Sequence, residues 1–329
     1  MKIAIIGGTG FVGSYIIREL IHKKFIPRVL VRRGSESKIT STSEIVTGRI
    51  ENQNAVTETI DGTEAVIYNI GIIRECSSQG VTFETLHLQG VKSCIEIAHK
   101  LGVKRFILMS ANGVKPDGTR YQQSKWQAEE LLKESGLEWT IFRPSLIFGD
   151  SGDKGNPEFC TQIRDDMLSL PIPAPLFYKG LFPINAGSFS LSPIHVKNVA
   201  EFFVTAINQK ESIGKVYVLG GPETITWKKI IHQIALASGK LTWKVPVPLI
   251  LIKAVAALFD RYKWFPVTRD QLVMLMEENI VDKHYFTDFG IEPIPFDTDN
   301  LIYLKNKSVI SPLFSSIKIF ASPYITCLN

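Results

Sequence analysis

Cysteine is scarce in this chain and never clustered: Cys76, Cys94, Cys160 and Cys327 are the only 4 among 329 residues, with no C-x-x-C pair and no grouped histidines. That spacing speaks against a zinc site and a disulfide framework, and it suits a reducing compartment. No metal ligands are expected. Long hydrophobic runs are also missing. The most apolar stretch, Val247 to Phe259, is interrupted by Pro248 and Lys253 and is too short to cross a bilayer. A buried helix is expected there, with a helix on a membrane surface as the alternative. No secretory leader is expected, since Met1 and Lys2 lead straight into an apolar strand and then glycines. A cytoplasmic placement is expected, with membrane-peripheral association as the alternative. The net charge of +5 is not gathered into a patch; Lys and Arg are scattered among Asp and Glu, so no nucleic-acid partner is expected.

What is present is the composition of a globular protein, 45% hydrophobic and 21% charged, in a chain long enough for one large domain or a large and a small one. Ile3–Ile6 reads as a buried parallel strand. Val12, Ile16 and Leu20 then recur at helical spacing. Strands are expected at Arg28–Val31, Glu44–Thr47, Ala65–Asn69, Arg105–Met109 and Trp139–Phe142. Helices are expected at Phe83–Lys100 and Tyr121–Ser135. Such alternation indicates a doubly wound parallel sheet, an α/β Rossmann arrangement. After Gly149 the pattern breaks into a Gly- and Pro-rich insertion. Regularity returns at Ser192–Ile207, Val216–Leu219 and Trp227–Ser238, and 245–304 reads as mostly helical. The expected organisation is a dinucleotide-binding domain at 1–149 and 190–240, a smaller, mostly helical substrate region at 150–189 and 241–304, and an appended tail at 305–329.

Gly7-Gly8-Thr9-Gly10-Phe11-Val12-Gly13 places G-x-x-G-x-x-G between the first strand and the first helix. Gly7 permits the tight turn, Gly10 lets the backbone approach a pyrophosphate, and Gly13 lets helix and strand pack closely. The free N–H groups and positive end of that helix complete an anion site, with Thr9, Phe11 and Val12 in its wall. At the end of the second strand an acid would suit the ribose of NAD, whereas arginine suits a 2′-phosphate. Here Val31 is followed by Arg32 and Arg33, with no acid before Glu36. NADP(H) is therefore the preferred cofactor, with NAD(H) as the alternative. The bland reading of both arginines is solvated surface charge.

Tyr121 and Lys125 stand one helical turn apart on one face. An ammonium there is expected to lower the phenol's pKa and to donate to ribose hydroxyls. Ser110, at the end of the fifth strand, could donate to a substrate oxygen.

At these residues the chain resembles the extended short-chain dehydrogenase/reductase family, from Met1 to about Leu304. Gly102-Val103-Lys104-Arg105-Phe106, Arg143-Pro144-Ser145 and Ile194-His195-Val196-Lys197-Asn198-Val199-Ala200 carry the resemblance. Met109-Ser110-Ala111-Asn112-Gly113, leading shortly to the Tyr–Lys helix, is similar to the atypical group around the NADPH-holding accessory subunit of mitochondrial complex I and its bacterial relatives. The resemblance implies cofactor contacts from Gly71 and Pro144 besides the glycine turn, the arginines and Lys125, and a catalytic set of Ser110, Tyr121 and Lys125. It also implies two alternatives: an oxidoreductase or epimerase acting on a carbonyl or alcohol, or a non-catalytic NADPH-holding protein of a respiratory assembly. For the enzyme, a sugar nucleotide, a sterol-like lipid and a quinone-related molecule are all candidate substrates, seated between the sheet's carboxyl edge and the substrate region. Three departures bear on the choice. Leu86-His87-Leu88 stands where members carry Asn, Ala111 where many carry Ser, and Gly48-Arg49 where many carry Gly-Asp. His87 is expected to pack in a helix interface, with a catalytic substitute as the alternative; His195 is expected to be structural.

Overall fold

The computed structural model describes residues 1–152, 156, 158–169, 173–180, 182–251, 273–274, 277 and 279–305. In chain order these form β1 (Lys2–Ile6), α1 (Phe11–His22), β2 (Ile26–Val31), β3 (Glu44–Thr47), α2 (Gln53–Ile60), β4 (Ala65–Tyr68) and α3 (Gly90–Leu101). There follow β5 (Arg105–Met109), α4 (Arg120–Lys133), β6 (Glu138–Pro144), β7 (Ile147–Phe148), α5 (Phe159–Gln162) and β8 (Ala174–Tyr178). The last elements are β9 (Ser190–Leu191), β10 (Ile194–His195), α6 (Val196–Ala206), β11 (Lys215–Leu219), β12 (Ile225–Thr226), α7 (Trp227–Ala237), β13 (Lys244–Pro248) and a one-turn helix at Phe286–Phe289.

The chain divides into two compact units. The first holds Met1–Ser145, Val196–Gly220 and Asp282–Pro293; the second takes its described residues from 146–195, 221–281 and 294–305. In the first unit, seven strands pair in parallel in the order β11-β6-β5-β4-β1-β2-β3. The order reverses at β1 and β4, so the carboxyl ends of those strands open the crevice where such sheets take ligands. Strands buried on both faces read as continuous apolar runs, and β4 and β5 are buried at every position. Val56, Ile60, Val91, Cys94, Ala128 and Leu132 bring α2, α3 and α4 against one face. On the other face α1 packs against α6. Burying each large side chain stabilises by roughly 1.5–3 kcal/mol.

Two local features depart from the sequence pattern. Helix α2 lies between the third and fourth strands, where no helix was expected. Its start is fixed by Asn52, whose side chain accepts from the Asn54 and Ala55 amides. The expected helix Phe83–Lys100 is interrupted: Glu84–Gln89 forms a widened π-type turn before α3. Such turns often mark functional positions.

The second unit has its own core, in which Trp227 stacks with Phe177 and Phe189. Helix α7, assigned from sequence to the dinucleotide-binding stretch 190–240, belongs to this unit, as does β12, which pairs with β9. The insertion carries more structure than its glycines and prolines suggested, since β8 pairs with β13. Lys244–Pro248 is thus a strand, not the start of a helix; its prolines are compatible with a two-stranded edge. Residues 252–272, part of the expected helical stretch 245–304, lie outside the described residues, as does the expected tail except for Lys305. From 279 to 304 the expectation fails, since only the single turns Phe286–Phe289 and Ile302–Leu304 are helical there. No helix among the described residues is long and apolar enough to cross a membrane.

Candidate functional site

The glycine turn between β1 and α1 divides its work among four glycines. Gly7 adopts φ +95, and a Cβ there would lie 2.8 Å from the Asn69 carbonyl carbon. Only glycine permits both that backbone and that approach. A Cβ at Gly13 would run into the Gly7 oxygen and lie 2.7 Å from the Gly8 Cα, so α1 sits directly on the turn. Gly8, not singled out from the sequence, is needed for packing: its Cβ would meet Val29 at 2.6 Å and Ile17 at 2.8 Å. Gly10 is different. A Cβ there would meet nothing nearer than the Gly7 oxygen at 3.7 Å, which leaves its outer side open. Gly10 caps α1 without a side-chain acceptor, and the first turn contains no acid. The positive end of α1, with Phe11 and Val12 half-buried beside it, therefore faces out unneutralised.

Past β2 the arginines are joined by a third. Arg32 is half-buried and its pKa is lowered, first by burial and then by the charge of Arg49. Arg33 and Arg49 line an open recess of about 670 Å³ with Thr47, Gly48, Glu51, Asn52 and Gln79. Arg49 pairs with Glu51 at 3.5 Å. In the sequence Arg49 registered only as a departure from Gly-Asp; the fold makes it part of a basic cluster. Its neighbour Gly48 fits because a Cβ there would collide with Ala55 of α2.

Helix α4 carries the Tyr–Lys pair. Thr119 and Gln122 form a reciprocal capping box, and the Gln122 amide also donates to the Gly113 carbonyl at 2.8 Å. This fixes the loop after β5 to the start of α4. The Lys125 Nζ donates to the carbonyls of Ile70 and Met109, both at 3.0 Å. Of its three N–H groups two are thereby engaged. Gly71 lies alongside, its Cβ position 3.7 Å from that nitrogen. Burial pulls Lys125 down to about 8, against the Glu129 charge that acts to raise it. At pH 7 the ammonium still outnumbers the amine about tenfold.

Tyr121 differs from its expectation. Its phenol is pushed up to about 12 by burial, and no lowering by Lys125 offsets it. The ring packs edge-on against Phe83 and His87. Ser110 is 3% exposed, and its amide donates to the Phe142 carbonyl at 2.7 Å. Among the described residues its Oγ is buried with no hydrogen-bond partner. Pro144 is buried at the end of β6, where its carbonyl accepts from the Asn112 amide at 2.9 Å. Ser110, Tyr121, Lys125, Gly71 and Pro144 thus share one end of the first unit's sheet with the glycine turn. His87 is buried, as the packing reading expected, with both ring nitrogens hydrogen-bonded. His195 lies in the second unit against Phe148. No group of metal ligands occurs among the described residues.

Residues 7–165, which span this turn and the Tyr–Lys helix, match a protein family described as NAD(P)H-binding. The chain is thus similar to NAD(P)H-binding, epimerase-like short-chain dehydrogenases. It is 22% identical over 316 residues to the mitochondrial NADH-ubiquinone oxidoreductase 40 kDa subunit of Neurospora crassa, covering 92% of this chain and 78% of that one. It is 26% identical over 264 residues to the ceramide reductase of Caulobacter vibrioides, covering 79% of this chain and 78% of that one. The fold is shared with Thermus thermophilus UDP-glucose 4-epimerase in complex with NAD, at TM-score 0.68 and 18% identity over 92% of this chain and 97% of that one. Short-chain dehydrogenase relatives therefore include reductases, epimerases and respiratory subunits.

Proposed function

We propose that the protein is an NADP(H)-dependent oxidoreductase that reduces a carbonyl substrate. Gly7, Thr9, Gly10, Phe11, Val12 and Gly13 would hold the pyrophosphate, and Arg32, Arg33 and Arg49 the 2′-phosphate. Gly71, Lys125 and Pro144 would flank the nicotinamide half. The residues fit such a group on two counts: Gly10 leaves an open approach to an uncapped helix end, and three arginines gather at the far end of the same edge.

The observation that carries the chemistry is the unpartnered Ser110 hydroxyl. A buried polar group without a partner is costly, and a substrate oxygen would satisfy it. When bound, the reduced nicotinamide supplies a hydride. Tyr121 supplies the proton that the substrate oxygen takes as its carbonyl becomes an alcohol, and Ser110 donates a hydrogen bond to that oxygen. The Tyr121 phenol, its pKa raised by burial, stays neutral and so carries the proton that carbonyl reduction needs. The third N–H of Lys125, left over from its bonds to Ile70 and Met109, would serve the ribose.

A second reading, a cofactor-holding subunit without turnover, draws on His87 in place of the family's asparagine and on the respiratory relative. Oxidation of NADPH against a panel of carbonyl substrates separates the two, with mass spectrometry of any nucleotide that co-purifies. Turnover abolished by Ser110→Ala and Tyr121→Phe is expected. A wild type inert on every carbonyl yet strongly stabilised by NADPH would overturn the enzyme reading.

A further inference from the structure

We infer that His87 is a positioning residue, a neutral imidazole in its Nδ1–H form that fastens the segment after β4 to the Tyr121–Lys125 helix. The inference rests on the cofactor site proposed above and assigns that site a determinant of its own. The direction of each hydrogen bond follows from what the partners can do. The Ile72 amide can only donate, and it lies 3.2 Å from Nε2, so Nε2 accepts and carries no proton. A neutral ring then holds its proton on Nδ1, which faces the Ser124 hydroxyl at 2.9 Å. Ser124 gives its own proton to the Tyr121 carbonyl at 2.9 Å, so its oxygen is free to accept from Nδ1. The relay runs one way, from Ile72 through His87 and Ser124 to Tyr121.

This leaves the ring no part in acid–base chemistry and gives it a mechanical one. Phe83 stacks on it at 5.4 Å with 20° between planes, and Tyr121 meets it edge-on at 5.4 Å. The ring sits within the widened turn Glu84–Gln89. The segment 70–72 is thereby anchored at both ends: Ile72 to His87, and Ile70 to Lys125 through its carbonyl at 3.0 Å. Gly71 lies between the anchors, beside the ammonium. Releasing Ile72 would let Ile70 drift and change which acceptors Lys125 serves. An asparagine is too short to span from the π-type turn to both Ser124 and Ile72, so the histidine adds a link that an asparagine would lack.

The test separates the two nitrogens. His87→Gln keeps an acceptor near the Nε2 position, whereas His87→Asn keeps only a donor near Nδ1. NADPH affinity is expected to stay within about threefold of wild type in His87→Gln and to fall by about tenfold or more in His87→Asn and His87→Ala. Imidazole ¹⁵N NMR of the wild-type chain, with His87 identified by its loss in the glutamine variant, should show the Nδ1–H form at neutral pH. An Nε2–H or charged ring would overturn the inference whether or not any variant folds. So would a wild type that binds NADPH no better than folded His87→Asn and His87→Ala. A wild type that binds no NADPH at all would instead overturn the proposed function, and the NMR result would still decide the relay.

Discussion

Arg143 grips Glu129 through two parallel bonds, from Nε to Oε1 at 2.8 Å and from Nη2 to Oε2 at 2.5 Å. The carboxylate is fully buried, with Lys133 also within 3.7 Å of it. Glu129 stands one turn beyond Lys125 on α4, and its charge holds the Lys125 pKa up against burial. The pair therefore fastens β6 to the Tyr–Lys helix and supports the ammonium on it. Glu129→Gln keeps the shape and removes the charge. It should lower the Lys125 pKa below about 8, which NMR titration of the lysine would report. The stability loss should be about 2–3 kcal/mol in urea unfolding, below the range for wholly buried pairs because Arg143 is 23% exposed. An unmoved Lys125 titration would break the proposed link.

Gly10 and Gly13 should respond in opposite ways to a small side chain. Gly10→Ala places a methyl where no protein atom lies closer than 3.7 Å, at a backbone conformation open to any residue. The fold should survive, while NADPH affinity falls by about tenfold or more because the methyl occupies the approach to the turn. Gly13→Ala drives a methyl into the Gly7 oxygen and the Gly8 backbone. It should cost about 1–3 kcal/mol of stability even without cofactor. Thermal unfolding of both variants, with and without NADPH, distinguishes the two effects.

The glycine turn was readable in the sequence because its requirements are local: a tight bend, an open face and a helix start within seven residues. Gly8 and Gly48 were not, since their reasons lie in Val29, Ile17 and Ala55, which only the folded sheet brings near. Helix α2 does carry a local signal, the Asn52 cap followed by Val56 and Ile60 at helical spacing. Strand β13 could not be read from its prolines, because its partner β8 lies about 70 residues earlier and supplies the reason for extension. Arg49 was visible as a residue but not as a neighbour of Arg32. The same holds for His87, whose role depends on Ile72 and Ser124 meeting it from two other segments.

The basic cluster should discriminate between the two nicotinamide cofactors. Arg33→Ala combined with Arg49→Ala removes two guanidinium groups from the recess that would take the 2′-phosphate. NADPH affinity should drop by about 10- to 100-fold, equivalent to about 1.4–2.7 kcal/mol, with NADH affinity almost unchanged. Raising the salt concentration should weaken NADPH more than NADH in the wild type. Calorimetry giving equal affinities for the two cofactors in the wild type would remove the preference.

Tyr121→Phe should abolish turnover while leaving NADPH affinity within about twofold, because only the transferable proton is lost. Lys125→Ala should harm both, since two carbonyl contacts and the ammonium go together. Turnover that survives Tyr121→Phe would exclude the tyrosine as proton donor.

Acid stability offers a test that needs no substrate. Burial first, and then the Lys125 charge, hold the His87 pKa at about 2 against an ordinary value of 6.5. Between those values the unfolded chain binds a proton that the folded chain refuses, so stability rises with pH across this window. Above pH 6.5 the ring is neutral in both states and has no effect. As pH falls, the stabilisation is lost progressively, by about 2 kcal/mol at pH 5. The groups facing the ring act elsewhere: Tyr121 titrates far above, and Lys125, lowered to about 8, affects only the alkaline limb, where stability rises with pH. Glu158, whose pKa is raised by burial, pulls the other way, since its folded form takes up a proton before the unfolded one does. Urea unfolding of the wild type between pH 7 and 5 should therefore show a loss that His87→Gln reduces by about 2 kcal/mol, because an amide does not titrate. Identical pH slopes for the two proteins would mean that the ring is protonated in the fold, and a protonated Nε2 could not accept from Ile72.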